Sequence, residues 1–166
     1  MRYADALLAA ALIAGATTLV TAQSTARAEL QDAAGATVGE ATLTETPHGV
    51  LLAVSLTNVP EGEHAFHIHE TGQCEPPFTT AGGHMNPTGR QHGIENAEGM
   101  HQGDLPNVHV PAGGALEFQA LAAGVSLDSL FDADGAALVI HEGPDDYTTD
   151  PAGDAGGRIA CGVVMR

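Results

Sequence analysis

The sequence predicts an all-β fold, a sandwich or barrel of roughly eight strands with two long functional loops. Three observations lead there. Short apolar runs alternate with polar residues, glycine-rich turns punctuate these runs about every ten residues, and no long helical periodicity follows the first thirty.

The elements follow in chain order. Arg2 opens an apolar run from Ala6 to Val20, and Ala26-Arg27-Ala28 has the small-x-small pattern of an export cleavage site, so residues 1–28 read as a signal peptide. Val20-Thr21-Ala22 is an earlier site of the same type, and an uncleaved anchor or a loose tail are the competing readings. The run is too short and too rich in alanine for a membrane span. Residues 29–166 suffice for one domain with a real core and not for two. Within them Val50, Leu52, Val54 and Leu56 alternate with Leu51, Ala53, Ser55 and Thr57, which is the pattern of a strand. Leu116, Phe118 and Ala120 alternate with Glu117 and Gln119, while 136–141 and 159–164 are short apolar runs of the kind found in buried strands. Two segments break the rhythm, about 71–103 and 143–157, and long ordered loops in a compact domain carry function or are tied down.

Composition narrows the partners. The chain has 21 acidic residues against 5 arginines and no lysine, a formal charge of −16. Once the leader is gone the cations are Arg90, Arg158 and Arg166. Nucleic acid and anionic membrane surfaces are poor partners for such a surface, and its plainest use is solubility. Cys74 and Cys161 are the only cysteines. In an exported chain one bridge is the default reading, with a pair of free buried thiols as the alternative.

The chemistry lies in His67, His69, His84, His92, His101, Asp104 and His141. Imidazole is the side chain most used to hold copper and zinc, and a carboxylate can complete a zinc site. On a strand His67 and His69 face one side about 6.5–7 Å apart, leaving Phe66 and Ile68 to point into the interior. His141 ends the apolar run L-V-I-H, and the other donors are spaced too widely for one helix face, so a folded loop must gather them. His48, His64 and His109 fall outside this pattern and are given no metal role.

In order along the chain, F-H-I-H-E, A-G-G-H-M-N-P, H-G, H-Q-G-D-L-P-N, V-I-H-E-G-P-D-D and A-G-G-R-I-A-C-G-V-V resemble the copper/zinc superoxide dismutase family, in its exported, bacterial type. The resemblance implies an eight-stranded antiparallel Greek-key barrel. It implies that His67, His69, His84 and His141 bind copper, and that His84, His92, His101 and Asp104 bind zinc, with His84 shared. Asp145 would link a copper histidine to a zinc histidine, Arg158 would be the active-site arginine, and Cys74–Cys161 the disulfide. The implied reaction is dismutation of superoxide to dioxygen and hydrogen peroxide, with copper alternately reduced and oxidised, as antioxidant defence in a periplasm or outside the cell. A homodimer is left open. The competing functions are a metal-buffering module of the same fold, a structural relative that lost the site, and a zinc hydrolase. The chain departs from the family at Ala65, where glycine is common, and in lacking lysines near the second loop, which carries Asp145, Asp146, Asp150 and Asp154.

Overall fold

This computed structural model describes residues 24–166, which form nine strands, one short α-helix and a 3-10 turn at Thr79–Ala81. The strands are β1 (Thr25–Asp32), β2 (Thr37–Thr46), β3 (Gly49–Leu56), β4 (Gly62–His64), β5 (Phe66–His69), β6 (Val108–Val110), β7 (Leu116–Ala123), β8 (Ala137–His141) and β9 (Arg158–Val163). The helix, α1 (Leu127–Leu130), is one turn, capped by the Ser126 hydroxyl accepting from the Ser129 N–H. Residues 1–23 hold most of the expected leader and lie outside the described residues. The rest of it is Ser24, just ahead of β1, and Thr25–Ala28, which open that strand. Among the described residues no helix is long and apolar enough to cross a membrane.

All strand pairs are antiparallel. Seven strands make one sheet in the order β5-β8-β9-β1-β2-β3-β7, and β4 with β6 makes a second. The run 62–69 divides at the buried Ala65. Ahead of it β4 pairs with β6, and behind it β5 pairs with β8. Counted as one bent strand, β4 and β5 restore the expected eight, and the bend joins the two sheets. Every strand expected from alternation is present. The inward set Val50, Leu52, Val54 and Leu56 is buried on β3, as period-two patterning requires.

Phe66 on β5 meets Phe118 on β7 edge to face at 5.4 Å, so the two ends of the large sheet touch across the core. β8 is buried on both faces, which explains its unbroken apolar run. Leu138 and Ile140 enter the main core, while Ala137 and Val139 pack with Phe78, Ala81 and Cys161 in a smaller cluster under the first long loop. Cys74 on that loop is disulfide-bonded to Cys161 on β9, across 87 residues. In the chain-entropy account a closure of that span stabilises by about 4–5 kcal/mol. The bridge and the cluster together hold the loop against the sheet.

Candidate metal centre

β5 places its side chains as the strand period demands. Phe66 and Ile68 join the core, and the His67 and His69 rings lie on the opposite face with centroids 6.5 Å apart. β8 delivers His141 from the neighbouring strand. The first long loop then doubles back along β5. The Ile68 N–H donates to Gly103 O at 2.9 Å and the Met85 N–H to Ile68 O at 2.9 Å. A Cβ at Gly103 would lie 2.1 Å from Ile68 O, so only glycine permits this approach. By this path one loop brings His84, His92, His101 and Asp104 beside β5.

Two donor groups result, and His84 belongs to both. The first holds His67, His69, His84 and His141, the second His84, His92, His101 and Asp104, and within each the ligand atoms lie within 4.8 Å of one another. All seven residues are buried. Asp104 Oδ1 sits 2.8 Å from His84 Nδ1, 3.0 Å from His92 Nδ1 and 3.4 Å from His101 Nδ1. Its other oxygen accepts from the backbone N–H groups of Gly93 and His101, both at 2.9 Å, which fixes the carboxylate. Three nitrogens and one oxygen so gathered are a zinc donor set.

In the first group the far nitrogens are committed to oxygen acceptors. His67 Nε2 is 2.7 Å from Asp145 Oδ2, His69 Nδ1 is 3.0 Å from Gly82 O, and His141 Nδ1 is 3.5 Å from Gly156 O. Outer contacts of this kind turn the other ring nitrogen toward a metal. Two buried atoms have no hydrogen-bond partner among the described residues, His67 Nδ1 and His84 Nε2. Buried nitrogens are normally satisfied. Both belong to the all-imidazole group, which is the chemistry a copper ion takes.

The second long loop is strapped over the first. Asp145 Oδ1 lies 2.9 Å from His92 Nε2 and also accepts from the Tyr147 N–H, so one carboxylate spans the two donor groups. A Cβ at Gly153, where φ is +65°, would fall 1.9 Å from Asp145 Oδ1. Arg158 donates to Phe78 O at 2.6 Å and Gly82 O at 2.7 Å, and Gly82 O is also the acceptor for His69.

Three features were not legible in the spacing. Asp150 accepts from the His92 N–H at 2.7 Å and lies 3.8 Å from His101 Nε2. Arg90 and Arg158 line the same cleft of about 380 Å³, beside His84, His101 and Asp150. Buried His64 bonds His141 O and Pro60 O, each at 2.9 Å, and belongs to neither donor group. His48 and His109 are exposed.

Residues 37–164 match the family model described as copper/zinc superoxide dismutase (SODC). The chain belongs to this family. It is 47% identical to a copper-zinc superoxide dismutase of Aquifex aeolicus over 92% of this chain and 96% of that one. A second dismutase of the same organism is 49% identical, over 82% and 85%. Among solved structures, a double mutant of a SOD-like protein from Bacillus subtilis superposes with a TM-score of 0.81 at 38% identity, covering 84% of this chain and 97% of that one.

A copper/zinc superoxide dismutase needs neutral imidazoles to hold its copper, and burial supplies them here. Burial, which penalises a charged ring, pulls His67 down to about 4, His141 to about 3 and His69 to about 2. His92 moves the other way. Burial opposes its charge, but the hydrogen bonds to Asp104 and Asp145 prevail and raise it to about 9. Burial likewise opposes the charge on both aspartates, and their histidine partners hold them below the ordinary carboxylate range. A ring whose folded value lies below the unfolded 6.5 contributes stability that is whole above that pH and is lost as pH falls through the folded value. His92 alone contributes in the opposite sense, fully below 6.5 and lost as pH rises through about 9. The metal-free protein should therefore melt at progressively lower temperature as pH drops from about 6.5 toward about 4. A melting temperature constant across that window would contradict this account.

Proposed function

We propose that His67, His69, His84 and His141 hold copper, that His84, His92, His101 and Asp104 hold zinc, and that the protein dismutates superoxide outside the cytoplasm. The reading rests on one observation above the others. His84 turns Nδ1 toward the Asp104 cluster and leaves a buried, unpartnered Nε2 among the other imidazoles. Copper, when bound, supplies the one-electron exchange that converts one superoxide to dioxygen and, with two protons, a second to hydrogen peroxide.

The chain's own residues prepare the rest. Asp145 holds the His67 and His92 rings together by their Nε2 atoms, turning the Nδ1 of each toward its own donor group. His84 Nε2 is the atom positioned to carry a proton beside the substrate. Arg158, pinned by two carbonyls, offers a fixed charge to an anion entering the cleft. The leader and the disulfide favour a periplasmic or secreted location.

Metal analysis of the exported protein, paired with a superoxide assay, tests the proposal. Copper and zinc in equal amounts with copper-dependent activity is the expected result. A fully metallated sample that leaves superoxide untouched would favour metal buffering instead.

The charge distribution adds a second test. Arg90 and Arg158 attract an anion locally, while a formal charge of −16 repels it at distance. Raising ionic strength from about 0.01 to about 0.15 M shortens the screening length from about 30 to about 8 Å. The ratio kcat/KM should stay flat or rise over that range. A steep fall would show that long-range attraction dominates.

A further inference from the structure

We infer that the export peptidase cuts after Ala22, within Val20-Thr21-Ala22, so that the mature chain begins at Gln23 and keeps β1 whole. This rests on the reading of the N-terminal segment as an export leader.

The sequence offers Ala26-Arg27-Ala28 as the more obvious site, but its residues are structural. Ala26 and Ala28 are 1% and 2% exposed and belong to the main core cluster. The register pairs Thr25 with Thr44, Ala26 with Leu43, Arg27 with Thr42 and Ala28 with Ala41. Arg27 exchanges two backbone hydrogen bonds with Met165, at 2.8 and 2.7 Å, and so anchors the C-terminal end of the chain. Ser24 O accepts from the Glu45 N–H at 3.0 Å, which extends the pairing one residue further upstream.

A cut before Glu29 would remove the first half of this strand. Residues 41–44 of β2 would lose their β1 partners and keep only β3, exposing backbone groups that seek another strand. Met165 would lose both of its bonds, and the core would lose two buried side chains. The resemblance of A-R-A to a cleavage motif has a plain origin. Peptidases favour small residues two positions apart, and a strand with a crowded inner face places small residues at the same interval. Cleavage after Ala22 removes none of these contacts.

The test expresses the full chain in a bacterium, recovers the exported fraction, and reads the N-terminus by sequencing and intact mass. A first residue of Gln23 is expected. A first residue of Glu29, six residues shorter, would overturn the inference while leaving the leader reading in place. An exported chain still beginning at Met1 would overturn both. Ala22→Leu, made in the same full chain, puts a larger side chain at the cleaved bond. The native mature mass should then disappear, and its persistence would count against the site.

Discussion

Replacing His69 by alanine is expected to reduce superoxide dismutation to the buffer background while the protein remains folded. The loss should exceed the roughly 10–100-fold cost of disturbing a residue that only orients a ligand, because a donor itself is removed. The fold should survive because β5 divides its work between its faces. Phe66 and Ile68 carry the core contacts, and His69 lies on the other side with its Nδ1 on Gly82 O. Gly82 O would keep its bond from Arg158. Zinc content should hold, since His69 is absent from the second donor group. Activity, copper and zinc content and melting temperature, measured on one preparation, check the set. Undiminished activity would end the assignment of this group to copper.

Asp145→Asn should weaken copper retention by about 10–100-fold, and zinc retention by less. The carboxylate accepts from both sides, through Oδ2 from His67 and through Oδ1 from His92 and Tyr147. An amide of the same shape has one accepting oxygen and one donating nitrogen. Kept on His92 and Tyr147, the oxygen preserves two bonds and turns the amide N–H groups toward His67 Nε2. That nitrogen must then accept, which moves the ring proton to Nδ1, the unpartnered atom facing the first donor group. The variant would thus hold His67 in the tautomer that cannot bind. Competition with a chelator for each metal in turn checks this. Equal affinities in variant and parent would remove Asp145 from the positioning role.

The barrel was legible because burial on one face of a strand imposes a period of two, which β3 and β7 carry openly, while β8 and β9 stand out as short unbroken apolar runs. β1 was hidden because its alternating alanines also spell a cleavage motif. The division of the run 62–69 at Ala65 was hidden because nothing local distinguishes a strand that changes sheets from one that continues. In the site, His67 and His69 declared themselves by being two apart on an apolar strand. Asp150 did not, because it reaches from the second loop to the first, and Arg90 did not, because only the folded cleft sets it with Arg158; no spacing along one loop records either.

By itself the sequence determined the donor inventory, the all-β class and the single pair of cysteines, because residue type sets coordination chemistry and local periodicity sets the strand. The tertiary structure alone decided which nitrogen of each ring faces a metal and which is spent on a carbonyl or carboxylate. For Asp145, whose link between the two groups the resemblance already implied, it decided which oxygen meets which ring, Oδ2 for His67 and Oδ1 for His92. Those outcomes depend on atoms far apart in the chain meeting within about 3 Å, a distance that packing fixes and composition does not.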